Sequence, residues 1–142
     1  MKQVMMACLI LVLGFVLAVG IVLPSEAEEF SGPTKGKGLR NFSVGEIGLA
    51  KEIDTLENRY MRVRYWEVAP GGVVPVHSHK NRPAFIYVAN GEIYEHRSDK
   101  AEPNIYKTGD ISREADGVKH WWENKSNKTV VLIAFDVYEK KQ

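Results

Sequence analysis

Gly71-Gly72-Val73-Val74-Pro75-Val76-His77-Ser78-His79 reads as a short strand that ends on two histidines. Side chains alternate faces along a strand, so His77 and His79 point the same way. Their Cα atoms sit roughly 7 Å apart at the usual strand rise. Two imidazoles at that spacing converge on one small ion, with metal–nitrogen bonds of about 2.0–2.1 Å. A third histidine, His120, follows in Gly109-Asp110-Ile111-Ser112-Arg113-Glu114-Ala115-Asp116-Gly117-Val118-Lys119-His120-Trp121-Trp122-Glu123-Asn124. The two stretches together predict one pocket for a divalent transition metal ion. Imidazole suits zinc, iron, manganese, nickel and copper, and these residues do not choose among them.

Around this pair the apolar residues come in short runs broken by Gly, Pro, Asn and Asp. Strands are predicted at 61–69, 73–79, 84–89, 92–97, 104–106, 119–123 and 129–138, all rich in Val, Ile, Tyr, Trp and Phe. Ala69-Pro70-Gly71-Gly72 and Asn90-Gly91 read as turns between consecutive strands. No stretch keeps a helical period for three turns. Many short strands at this spacing predict an all-β antiparallel sandwich or barrel in one domain, residues 39–142.

The two histidine stretches resemble the paired motifs of the cupin superfamily. In the first, Gly71, His77 and His79, the position of Ala84, and Gly91 fall in register. In the second, Gly109, Gly117, His120 and Asn124 do so, with Ala115 where proline is usual. The resemblance extends to small single-domain exported bacterial cupins. It implies a double-stranded β-helix, a jelly-roll barrel with the metal inside its mouth. It also implies the ligand set His77, His79 and His120. The family's usual Glu is replaced by Ala84, so no acidic ligand comes from that position. Glu92 and Glu114 are the carboxylates considered as substitutes. Asn124 is expected to close a turn or a sheet rather than to bind the ion.

Lys2, the apolar run 4–23 and the small-residue end Pro24-Ser25-Glu26-Ala27 predict a signal peptide over 1–27 and a periplasmic or secreted protein. The run is also long enough to span a bilayer, so an uncleaved N-terminal anchor is the rival reading. Residues 28–38, rich in Gly, Lys, Ser and Pro, are expected to form a flexible leader. The sole cysteine, Cys8, lies in the apolar run. Cleavage leaves no thiol for catalysis, a disulfide or a metal, and excludes the thiol dioxygenases that carry a Cys–Tyr crosslink. Net charge is +1, with acidic and basic residues interspersed, which gives no footprint for nucleic acid.

Arg82 sits just after the histidine pair, where a guanidinium can either grip a substrate carboxylate or serve a structural pair. Tyr87, Tyr94 and Trp122 are the aromatic candidates for a substrate wall, with packing as their plainer role. Trp66 is assigned to packing, and His96 matches no motif position. Val74, Val76 and Ser78 alternate with the histidines and so should face outward. An apolar pair there needs a cover, either an N-terminal strand or the second subunit of a homodimer. Three functions fit: a metal-dependent enzyme on a small organic substrate (oxygenase, lyase or isomerase), a non-catalytic binder of metal or small ligand, and a metal-free structural cupin. Fold alone does not choose among them.

Overall fold

A computed structural model describes residues 29–140. The expected signal segment 1–27, with Cys8, lies outside the described residues. Eight strands follow in chain order: β1 Lys37–Gly48, β2 Arg59–Ser78, β3 Ala84–Asn90, β4 Glu92–Arg97, β5 Asn104–Lys107, β6 Ile111–Glu114, β7 Lys119–Glu123 and β8 Val130–Glu139. One 3-10 turn, Leu49–Lys51, separates β1 from β2. Among the described residues no helix is long and apolar enough to cross a membrane. All pairings are antiparallel, in the order β5-β4-β7-β2-β8-β3-β6, with β1 beside β2. This is the nearly closed all-β jelly-roll barrel that the cupin resemblance implied.

The barrel turns on β2. Its first half, Arg59 to Val68, pairs with β8, and β1 runs along its other side. Its last residues, Val73 to Ser78, pair instead with β7. One strand therefore joins the two sheets. The expected turn at Ala69-Pro70-Gly71-Gly72 is a bend within this continuous strand. Gly71 has φ +66°, a left-handed value that glycine adopts without a steric penalty. Asn124, at the end of β7, holds the bend: its amide donates to Val68 O at 2.8 Å and Ala69 O at 3.1 Å. Gly71 N–H donates to Asn124 O, and Asn124 N–H to Gly72 O.

A second irregularity sets which residues face inward. Val74 pairs with Trp122 and His77 with His120, so three steps on β2 match two on β7. This is a β-bulge, and it falls at Pro75, which has no N–H to give to the ladder. The extra residue flips the alternation. Val74 therefore faces the interior with His77, against the expectation that it faces out. Val76 remains on the outer face, and residues 32 and 33, not residues 47–53, lie against it. The segment expected to be a free leader lies across it: Val76 N–H donates to Pro33 O at 2.8 Å. A Cβ on Gly32 would stand 2.6 Å from Trp121 and 2.7 Å from Val76 Cγ2, so only glycine fits this crossing.

The core is built by strict alternation. Ala84, Ile86 and Val88 of β3 point in, with Ile93 of β4, Trp122 of β7 and Val130, Leu132 and Ala134 of β8, around Val68. Two strands were not foreseen. β1 is exposed along almost its whole length, so it has no buried face to write a pattern. β6 carries an inverted pattern: Ser112 and Glu114 are buried while Ile111 is exposed.

Candidate metal centre

The bulge and the β2–β7 ladder bring His77, His79 and His120 together. Ring centroids of His77 and His120 are 4.4 Å apart, and His79 lies 5.1 Å and 5.3 Å from the two. Each Nδ1 has a fixed acceptor. His77 Nδ1–H donates to Pro75 O at 2.8 Å, the carbonyl that the bulge exposes. His79 Nδ1–H donates to Arg82 O at 2.9 Å. His120 Nδ1–H donates to the Glu95 carboxylate at 2.7 Å. Carbonyl and carboxylate oxygens only accept, so each ring carries a proton on Nδ1 and Nε2 is the nitrogen left to offer a lone pair to an ion. An outer partner on the far nitrogen is the usual way to orient a metal-binding imidazole.

The Nε2 atoms then face one another and a carboxylate. His77 Nε2 and His79 Nε2 are 3.1 Å apart, and Glu114 Oε2 is 2.8 Å from His79 Nε2. His120 Nε2 and Glu114 Oε1 are buried with no hydrogen-bond partner. Lone pairs at these distances repel unless a proton or a metal cation lies among them. Orphaned buried acceptors are costly for the same reason. One ligand atom from each of His77, His79, Glu114 and His120 lies within 4.8 Å of the others, so small side-chain shifts bring all four onto one ion at bonds of about 2 Å. The donor set therefore fits a divalent transition metal ion. Burial, with His120 next in weight, pushes the His77 imidazole down to about 4, so its lone pair is free at neutral pH.

The carboxylate comes from an unexpected strand. Glu114 of β6 pairs directly with Ala84 of β3, so the two share the inner face of the ladder. Ala84 leaves the space and Glu114 fills it. Of the two carboxylates considered, Glu92 stays at the surface, where Tyr94 OH donates to it at 3.2 Å. Glu95, which the sequence reading did not single out, is fully buried behind His120. Burial works to raise its carboxyl, but the hydrogen bonds from His120 and Asn104 outweigh this and hold it below the usual range. Inward alternation with Ile93 on β4 was the signal available for it.

A cavity of about 40 Å³ adjoins the ligands, walled by Trp66, Val74, Ile86, Trp122, Leu132 and Ala134, with Arg64 as its cation. That is room for roughly three water-sized groups. Trp122 lines it, and Trp66, expected only to pack, lines it too. Tyr87 and Tyr94 do not: Tyr87 lies on the exposed face of β3, and Lys125 sits 4.5 Å over the outward ring of Tyr94. Both fall one step out of phase with buried neighbours, Ile86 and Ile93. Arg82 reaches the rim of the site, with Nη2 3.3 Å from His79 Nε2, but its Nη1 is committed to Asp136 at 2.9 Å. His96 stacks on Trp121 on the outer face and pairs with Glu123.

A family model described as Cupin domain matches residues 64–138. Among solved structures the chain is similar to the polyketide cyclase RemF from Streptomyces resistomycificus, at TM-score 0.57 and 18% identity, over 78% of this chain and 76% of that one. KdgF from Halomonas sp. matches at TM-score 0.55 and 14% identity, over 75% and 89%. The cupin domain of Cnp3 from Schizosaccharomyces pombe matches at 0.55 and 14%, over 73% and 66%. At these identities the likeness is one of fold. No curated protein matches the chain.

Proposed function

The chain belongs to the cupin domain family, and on that premise we propose that it is a metal-dependent enzyme of the oxygenase, lyase or isomerase type, acting on a small organic substrate. The observation that carries this reading is the set of inward Nε2 atoms beside an unbonded carboxylate oxygen, at the wall of a cavity. His77, His79, His120 and Glu114 would hold the ion. When bound, it supplies a Lewis acid that polarises a carbonyl, hydroxyl or carboxylate oxygen. The chain's own residues do the rest. Trp66, Trp122 and Leu132 exclude water, and Arg64 orients negative charge. Glu114 turns one oxygen to His79 and leaves the other without a hydrogen bond.

The small cavity favours a second reading, a binding protein that keeps an ion or a very small ligand without turnover. A metal-free structural role loses its motive, because the carboxylate missing at Ala84 is supplied by Glu114. We expect one metal ion per chain in protein purified from its native compartment. His77→Ala, His79→Ala and His120→Ala should each strip most of it while the barrel still melts cooperatively. Full metal content in all three variants, by elemental analysis, would falsify the site. Export with processing after Ala27 is part of the same proposal. Intact mass of protein from the native host tests it, and retention of residues 1–27 would support the anchored form.

A further inference from the structure

Residues 29–36 lie on the barrel without contributing a ligand to the metal centre. They continue the line of β1 along β2: Lys37 pairs with Val73, and further along Val76 N–H donates to Pro33 O at 2.8 Å. β7 holds the opposite edge of this stretch through Val73, Val74, His77 and Ser78. The part of β2 that carries His77 is therefore flanked on both sides, by β7 and by this N-terminal strap.

The strap reaches the metal centre through one peptide unit. Pro75 C=O and Val76 N–H belong to the same trans, planar peptide and so point in opposite directions. The N–H end is held by Pro33 O, and the C=O end accepts from His77 Nδ1–H at 2.8 Å. Pro33 O, this peptide and the His77 imidazole form one chain of hydrogen bonds, and bonds in such a chain polarise and strengthen one another. The strap thus fixes the tilt of the peptide, and the peptide fixes the ring. At the same crossing Gly32 lies against Trp121, the neighbour of His120 in β7. The Trp121 ring has little room to retreat: it is stacked on His96 at 3.9 Å, and His96 is tied to Glu123 at 2.7 Å.

We infer that the N-terminal strap positions the metal centre, acting on His77 through the Pro75–Val76 peptide. This rests on the metal reading above and adds a controlling element to it. His79 is held by Arg82 O and His120 by Glu95, whereas the carbonyl behind His77 belongs to a peptide that the strap itself holds. With the strap lifted, this peptide is free to turn about the bulge, and the His77 ring turns with it. Groups that support a metal ligand from behind are worth about tenfold to a hundredfold in affinity, and the strap, one bond further back, should be worth on the order of tenfold. The effect is reciprocal: an ion that binds more tightly with the strap down must hold the strap down by the same factor.

The test uses trypsin, zinc and cobalt. Lys35 is exposed within the strap, and cleavage after it, located by mass, tracks how often the strap lifts. Saturating zinc should slow this cleavage in wild type roughly tenfold, over a period in which the barrel itself stays uncut. Gly32→Val places a side chain where a Cβ already stands 2.6 Å from Trp121 and 2.7 Å from Val76 Cγ2, so it should lift the strap. Cleavage should then be faster, and zinc affinity, read against a chromophoric chelator, lower by on the order of tenfold. The visible spectrum of bound cobalt should change as well, because the coordination of His77 is altered. A variant with the strap lifted that binds zinc and cobalt as wild type does overturns the proposal, as does one whose strap stays as protected as in wild type. Wild type decides the matter alone if the variant does not fold: cleavage after Lys35 that is indifferent to zinc overturns the proposal, and protection by zinc supports it. Wild type that fails to take up zinc sinks the metal reading and this one with it. Full zinc without coupling to the strap sinks this one alone.

Discussion

Ala84 and Glu114 face each other across the β3–β6 ladder, and the carboxylate sits on the opposite strand from where the motif would put it. Directly opposed positions on one face of a sheet bring side chains within reach of the same point, so function can migrate one strand over. Ala84 also pairs with Asp136 on its other side. A carboxylate added at position 84 would therefore sit between two acids. Ala84→Glu alone should lower stability and leave metal affinity no better. Glu114→Ala should weaken metal binding by on the order of tenfold to a hundredfold. Ala84→Glu in the Glu114→Ala background should recover most of it, read by competition against a chromophoric chelator. No recovery would mean that position 84 cannot serve the site. The histidines were legible because strand parity and spacing are written in the chain. Glu114 could be named only as one of two candidates, because its role depends on which strand lies beside β3, a contact between positions thirty residues apart in sequence.

At the scale of elements, the same distinction separates what could and could not be read. Strands with an apolar inner face, such as β3 and β8, announce themselves by alternation. β6 does not, because its inner face carries Ser112 and Glu114 toward the site. The β2 bulge was equally hidden: Pro75 marks it only once the β7 partner is known, and with it went the inference that Val74 faces out. The Asp136 cluster is an element-scale device, tying β2 through Arg62 and Arg64 to β8 and to the loop before β3 through Arg82. Burial acts to raise the Asp136 carboxyl, but the hydrogen bond from Arg62 and the nearby Arg64 and Arg82 prevail and hold it below its ordinary value. A carboxyl depressed in the folded state stabilises fully above its unfolded pKa of about 3.9, and that contribution is lost as pH falls through the folded value. Asp136→Asn should thus cost on the order of 2 kcal/mol at neutral pH. The gap to wild type should begin to narrow below about pH 4, where the unfolded carboxyl takes up its proton, and close only below the depressed folded value. Denaturant melts of both proteins from pH 7 to pH 3 check this. A gap that stays constant throughout would remove the cluster from the account of stability.

The whole molecule leaves one sheet face apolar and open. Ile47 of β1, Met61 of β2, Phe135 of β8, Phe85 and Tyr87 of β3 and Ile111 of β6 are all exposed on it. The register places them side by side: Ile47 opposite Met61, Phe85 opposite Phe135, and Tyr87 opposite Ile111. Phe85 and Phe135, with Met61 and Val137, also wall a groove of about 280 Å³. A row of exposed apolar side chains with a groove in it, interrupted by Arg113 opposite Phe85, offers a surface on which a partner can pack. The homodimer expected from Val74 and Val76 thus loses its original motive, since one is internal and the other lies under residues 29–36. It gains a better one across the barrel. A two-fold pairing through this face needs no second kind of surface, because a patch with both ridges and a groove can be complementary to itself. We expect twice the chain mass by light scattering at tens of micromolar. Phe85→Lys with Phe135→Lys should give a folded monomer that keeps its metal, since both side chains point away from the site. A monomeric wild type would leave the face to a different partner. A double variant that still dimerises would move the interface elsewhere, to the exposed edge of β1.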